Sequence, residues 1–147
     1  MKAVVQRVKS ASVSISGELF SSIEQGLLVL LGIENADTLN EAEYICNKLL
    51  KLRIFEDENE KMNYSVSDIK GEILIVSQFT LAGSVKKGTR PSFDNAMPPK
   101  YAEILYEKFV EMAKESGLNI KTGKFGAMME VSLINDGPVT FILEKES

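Results

Sequence analysis

The hydrophobic pattern opens on strands. Val4 to Val8 is apolar with polar breaks, and Ser12-Val13-Ser14-Ile15-Ser16 alternates with period two, as a half-buried strand does. Gly17 offers a turn before a further extended stretch, Glu18 to Ile23. Gly26 to Ile33 is continuously apolar and suits a central strand covered on both faces. The period then changes. Asp37 or Thr38 opens a helix, because Thr38 and Glu41 make a capping-box pair whose side chains satisfy orphan amides of the first turn. Leu39, Ala42, Ile45, Leu49 and Leu52 follow at helical spacing.

Glu56 to Lys61 is polar and reads as a loop, and Glu72 to about Leu81, rich in Ile, Leu and Val, as a strand. Ala82 to Asn95 holds Gly83, Gly88, Pro91 and a basic cluster, and reads as a long loop. Pro98 and Pro99 then stand where a helix tolerates proline, in its first turn. Ala102, Leu105, Phe109 and Met112 form that helix's apolar stripe, and Gly117 ends it as a left-handed cap. Two last strands, near Ala127 to Ile134 and Val139 to Glu144, are joined by Asn135-Asp136-Gly137-Pro138, an ordinary turn composition. Many strands with two inserted helices predict one α+β domain over residues 1–147.

Composition removes several classes. With 44% hydrophobic and 26% charged residues the chain is an ordinary globular one. Its size should bury roughly 68–70% of the unfolded surface. Lys and Arg number 17 against 21 Asp and Glu, a net charge of −4. A protein gripping long nucleic acid through phosphates should be basic, so any RNA contact is expected to be local. The first residues are no targeting signal, since Gln6, Arg7 and Lys9 interrupt the apolar pair Val4-Val5. The longest apolar run falls short of the roughly 20 residues of a membrane helix. The reading is cytoplasmic, with no membrane partner. Cys46 stands alone, without a disulfide partner or metal-ligand spacing, and reads as a packed helix residue.

The chain has no histidine. That excludes the Ser-His-Asp triad, the Cys-His pair and nearly every catalytic zinc site. No phosphate-binding glycine loop is present either. The scattered carboxylates read as solvated charge. No metal or cofactor is implied. If the chain is an enzyme it lacks the usual proton-transfer groups, so its substrate must be intrinsically labile.

Three segments carry a resemblance. The first is Ser77-Gln78-Phe79-Thr80-Leu81 followed by Gly88-Thr89-Arg90-Pro91-Ser92-Phe93; the second is Val131-Ser132-Leu133 followed by Asn135-Asp136-Gly137-Pro138-Val139-Thr140; the third is Val5-Gln6-Arg7-Val8 with Ala11-Ser12-Val13. With Gly26 to Gly32 and Arg53-Ile54-Phe55, the similarity spans essentially the whole chain. In this order and spacing the chain resembles the D-aminoacyl-tRNA deacylase family. The resemblance implies a β-barrel-like, mostly antiparallel sheet with two main helices. It also implies a homodimer whose active sites lie at the subunit interface and take the 3′ end of aminoacyl-tRNA.

By that resemblance Ser77, Gln78, Phe79 and Thr80 line the ester-binding pocket, with strand-end amides as oxyanion donors. Taken alone, Thr80 is a β-branched strand residue and Gln78 an edge polar group. By alternation Ser77, Phe79 and Leu81 point one way, Gln78 and Thr80 the other. Gly137 and Pro138 take the role of a cis pair that one subunit inserts into the other's pocket. There backbone occupies the place of an L side chain, a selection by rejection that should also admit glycine, including glycyl-tRNA(Ala). Arg7 orients that loop from behind, or is otherwise a surface strand charge. Met129 and Ala102 shape the site, with core packing as the alternative. Lys86, Lys87 and Arg90 are candidates for the terminal phosphates, or a solvated loop. Phe93 stacks on a base or anchors the loop.

The implied reaction is hydrolysis of D-aminoacyl-tRNA. Water attacks, amides near Phe79 and Thr80 hold the oxyanion, and the substrate 2′-hydroxyl helps move the proton. The rival makes Thr80 a covalent nucleophile, for which the sequence supplies no adjacent base. Some relatives are linked to DNA replication, which leaves a non-catalytic nucleic-acid-binding protein as the alternative.

Overall fold

Strand β1 (Lys2–Ile15) runs unbroken through the stretch where the apolar pattern lapses. The computed structural model describes all residues, Met1–Ser147. The first half of β1 pairs antiparallel with β3 (Gly26–Gly32) and its second half with β2 (Glu18–Ile23). Along its other edge lies β8 (Glu130–Glu144). The lapse marks a register shift between Val8 and Ser10 that leaves Lys9 exposed, and side chains change face there.

Beyond β3 the sheet continues in parallel through β6 (Glu72–Ser77) and β7 (Ile120–Thr122). Parallel neighbours need crossovers, and α1 (Leu39–Lys51) and α2 (Pro99–Lys114) supply them. A small hairpin, β4 (Phe55–Glu56) with β5 (Met62–Tyr64), follows α1. The Ser21 hydroxyl donates to the Thr122 carbonyl at 2.7 Å, drawing β2 toward β7 and curling the sheet toward closure. The fold is therefore α+β, with a nearly closed, mixed sheet and two main helices.

Each face of the sheet has its own core. Ala3, Val5, Leu27, Val29, Leu31, Ile73 and Ile75 pack under both helices against Ala42, Ile45, Leu49, Leu105 and Phe109. Val8, Leu28, Leu74 and Val76 face the other way, inside the curl, with Ala11, Val13 and Ile23. The capping box forms as expected: Thr38 accepts from the Asn40 amide, and Glu41 accepts from the Thr38 amide at 2.6 Å. Cys46 is a packed helix residue, and burial pushes its thiol up to about 11. No helix is long and apolar enough to cross a membrane.

Four expectations need correction. The strand expected to reach Leu81 stops at Ser77. The two last strands are one, because residues 135–138 bulge out of a continuous β8 instead of turning it back. Leu39 is half exposed, since it stands in the first turn at the helix edge, and Leu52, though packed against the main core, does so from the C-cap rather than from within α1.

Candidate active site

The site begins where β6 ends. The Gln78 amide makes the last ladder bond, to the Leu31 carbonyl at 2.8 Å, and Gln78 then turns the chain with φ −139 and ψ 84. Phe79–Ala82 forms a tight 3₁₀ turn, closed by Leu81 N–H to the Gln78 carbonyl at 3.2 Å and Gly83 N–H to the Thr80 carbonyl at 3.0 Å. The alternation expected through Leu81 does not hold, because a three-residue turn replaces a two-residue pleat. Gly32 permits this approach: a Cβ there would lie 2.6 Å from the Leu81 Cβ. Of the four amides of residues 78–81, those of Gln78 and Leu81 are spent. Those of Phe79 and Thr80 open the turn, where helix amides have no acceptor of their own.

A cleft of about 680 Å³ lies against this turn. Ser77, Gln78 and Phe79 form one wall, Pro98, Pro99 and Ala102 at the start of α2 a second, and Phe125 to Met129 a third. Val76, Val131 and Ile33 make the floor. No charged side chain lines it. Phe93 closes over Phe79 with ring centroids 5.2 Å apart and tilted by 56°. The loop carrying Phe93 folds back on itself through two Ser84–Ser92 backbone bonds of 2.7 and 2.8 Å. Lys86, Lys87 and Arg90 sit exposed on its tip, outside the cleft lining.

Thr80, expected to line the pocket with Ser77, Gln78 and Phe79, is exposed outside the cleft lining because the 3₁₀ turn carries it away, and its Oγ1 receives a 2.5 Å hydrogen bond from the Gln78 side-chain amide. An NH₂ group donates and cannot take up a proton, so this neighbour is no general base. Ala102 and Met129 both face the cleft. Met129 lies against Gly123, where a Cβ would stand 2.7 Å from its sulfur. Tyr106 braces the floor from below, its hydroxyl donating to the Ile75 carbonyl at 2.7 Å and its ring 5.6 Å from that of Phe125. No cluster of three or more His, Cys, Asp or Glu is placed to hold a metal ion.

The second expected element is the bulge of β8. Gln6 pairs with Thr140 and Val8 with Asn135, so Asp136 to Val139 stand opposite Arg7 alone. The Gly137–Pro138 peptide bond is cis, and Gly137 has φ +135. Arg7 is no surface charge. Its side chain is 5% exposed, its Nε donates to the Asp136 carbonyl at 3.0 Å and its Nη1 to the Ile54 carbonyl at 2.8 Å. Asn135 ties the base of the bulge, its Oδ1 accepting from the Val139 amide at 2.9 Å. Val139 anchors the far side in the main core. The tip, Gly137 and Pro138, is exposed.

Cleft and bulge are separate in one chain: neither Gly137, Pro138 nor Arg7 lines the cleft. The outer edge of β8 has no strand partner, and Ile134, Phe141 and Ile142 on it are 57%, 40% and 66% exposed. Sequence reasoning missed Met97, Phe125, Gly126, Ala127 and Met128, which line the cleft from irregular backbone. Gly123 and Gly126 were the available signal. It also missed the buried α-ammonium of Met1, held by Asp37 at 2.8 Å and Glu34 at 3.1 Å, because no side-chain pattern announces a terminus.

Comparison with known proteins agrees with this geometry. The family model described as D-Tyr-tRNA(Tyr) deacylase matches residues 4–144. A D-aminoacyl-tRNA deacylase of Aquifex aeolicus is 58% identical over 144 residues, covering 98% of this chain and 97% of its own. One from Desulfatibacillum aliphaticivorans is 56% identical over 146 residues, covering 99% and 100%. A solved structure named c-Myc DNA Unwinding Element Binding Protein superposes with a TM-score of 0.94 at 51% identity, covering 100% of both chains. Another, described as a probable eukaryotic D-amino acid tRNA deacylase, shares the fold at a TM-score of 0.83 and 17% identity, covering 97% of both. With a model match over nearly all its length and full-length relatives above half identity, the chain belongs to the D-Tyr-tRNA(Tyr) deacylase family.

Proposed function

We propose that two copies of this chain form a homodimer in which the Gly137–Pro138 bulge of each protomer enters the cleft of the other. The reaction is that of the family: the chain is a hydrolase of D-aminoacyl-tRNA, releasing the D-amino acid and tRNA. The observation that carries the dimer is the separation of two well-made halves, an uncharged cleft and a braced backbone bulge, on a molecule with an unpaired apolar strand edge. An aminoacyl ester brings an α-ammonium, and an uncharged lining cannot balance it. Carbonyls of an inserted bulge can. Main chain then fills the space an L side chain would need, while D-aminoacyl and glycyl esters, including glycyl-tRNA(Ala), fit.

The chemistry follows from what the cleft offers. The Phe79 and Thr80 amides face a developing oxyanion in an apolar surrounding, where such donors act most strongly. Water is the nucleophile, and the substrate's 2′-hydroxyl carries the proton that a histidine would otherwise take. Thr80 forms no covalent intermediate, because its hydrogen-bonding neighbour is a donor. Lys86, Lys87 and Arg90 meet the terminal phosphates, and the enzyme works in the cytoplasm without metal or cofactor.

The name of one close structural relative supports a second reading, a DNA-binding protein on this scaffold. Release of amino acid from D-tyrosyl-tRNA and from its L counterpart, measured beside binding of a DNA duplex, separates the two. The enzyme hydrolyses the D ester and spares the L ester. A chain that binds DNA and hydrolyses neither is the binder.

A further inference from the structure

The C-terminal half of α1 carries a feature the cleft does not use. Lys48, Lys51 and Arg53 surround a surface groove of about 470 Å³ with Tyr44 and Asn47. Lys145, after β8, reaches the same place, with its Nζ 5.1 Å from the centroid of the Tyr44 ring and that of Lys48 at 5.7 Å. Lys145 is held there by its backbone, which exchanges hydrogen bonds of 2.8 and 3.0 Å with Met1. Two ammonium groups thus share one exposed ring, and Lys51 and Arg53 line the groove beside it, in a chain whose net charge is −4.

None of the four has a carboxylate partner. The chain's ion pairs lie elsewhere, at the N-terminus with Glu34 and Asp37, at Arg7 with Glu56 and Asp136, and between Lys108 and Glu111. Arg53 donates instead to the carbonyl and side chain of Asn63. Two ammonium groups sharing one ring are each drawn to its face while repelling each other. An anion between them relieves the repulsion.

We infer that this groove is a second contact for the RNA substrate, binding backbone phosphates well away from the 3′ end. The inference rests on the deacylase reading for the identity of the polyanion. α1 starts beside the residues that anchor the cleft rim, where the Asn35 amide donates to the Asn95 carbonyl at 2.9 Å and Asn35 Nδ2 to that of Asp94 at 2.8 Å. Lys48 and Lys51 stand nine and twelve residues along the helix from Leu39, roughly 14 to 18 Å along the axis. The terminal nucleotide held in the cleft cannot also fill the groove; the helical stem behind it can. Contacts of this kind position without reading sequence.

The test compares two substrates and two proteins, the full chain and its K48Q/K51Q variant. With D-aminoacyl-tRNA, kcat/KM falls about tenfold, chiefly through KM, and the slope of log kcat/KM against log salt becomes shallower by roughly 1.4–1.8 for two lost phosphate contacts. With D-aminoacyl-adenosine, too short to reach the groove, nothing changes. An equal loss on both substrates, or an unchanged salt slope with tRNA, overturns the inference. Binding of uncharged tRNA across the same salt series reads the groove without catalysis. If the parent chain hydrolyses neither ester but its tRNA binding loses the same slope in the variant, the hydrolase reading fails and the groove stands.

Discussion

Replacing Arg7 by methionine removes the guanidinium from behind the β8 bulge and leaves an apolar stem of similar length. Two carbonyls lose their donors, that of Ile54 at 2.8 Å and that of Asp136 at 3.0 Å. A buried carbonyl stranded in this way costs about 1–3 kcal/mol. Ile54 is buried, so its carbonyl belongs at the upper end, and the partly exposed Asp136 lies lower. The Glu56 contact, at 3.7 Å to a carboxylate 52% exposed, adds little. The sum is about 4 kcal/mol, read as a lower urea midpoint at unchanged slope. Arg7→Lys recovers about half of it, since one ammonium cannot span both carbonyls. If roughly 1.4 kcal/mol of the loss is felt at Gly137 and Pro138, the preference for D over L esters drops tenfold. An Arg7→Met protein within 1 kcal/mol of its parent and unaltered in D/L preference refutes the reasoning.

Other perturbations separate the parts. Phe79→Pro removes one oxyanion amide at the first position of a helical turn, where proline fits; initial rates fall by roughly 10²–10³-fold with the fold intact by circular dichroism. Thr80→Ala stays within about tenfold of the parent rate, and complete loss in a folded protein makes Thr80 the nucleophile. Gly137→Ala places a Cβ 2.7 Å from Val139 Cγ2 at φ +135, and costs about 1–3 kcal/mol in urea unfolding together with most activity. Thr38→Ala lowers stability by about 1 kcal/mol and leaves activity alone. Hydrogen bonds from the Thr38 hydroxyl and amide hold the Glu41 carboxyl below its usual 4.5, so the stability it contributes is present above that pH and lost as pH falls through the lowered value. Thr38→Ala flattens that acid limb, which unfolding midpoints between pH 7 and 3 record.

Much of the scaffold was legible because each local signal had one cause. The capping box of Thr38 and Glu41, the continuous apolar run at Gly26 and the proline pair opening α2 mean the same thing in any fold. What failed depended on partners far away in sequence. Lys9 to Ala11 falls between the two extended stretches the pattern gives, yet β8 pairs across it and absorbs the irregularity as a register shift between Val8 and Ser10. Asn135 to Pro138 has the composition of a hairpin, but β1 continues straight behind it and only Arg7 stands opposite. Ile120–Thr122 is too short for any period to emerge. Residues 78–81 alternate like a strand while Gly32 allows them to fold down as a turn. Of the site, the Ser77 to Phe79 wall and the bulge were reached through resemblance, and the physics of the residues added the absence of any imidazole. The wall at Phe125 to Met128 carried no chemical signature, because it supplies shape.

The division of the site between two chains is tested most directly by complementation. Phe79→Pro and Gly137→Ala proteins, each nearly inactive, are mixed, unfolded together and refolded. Half of the dimers then pair one of each, and one site of every such dimer has both an unaltered cleft and an unaltered bulge. Hydrolysis of D-aminoacyl-tRNA returns to roughly a quarter of the parent rate. If both variants fold and dimerise and the mixture stays as inactive as its components, cleft and bulge do not meet across protomers.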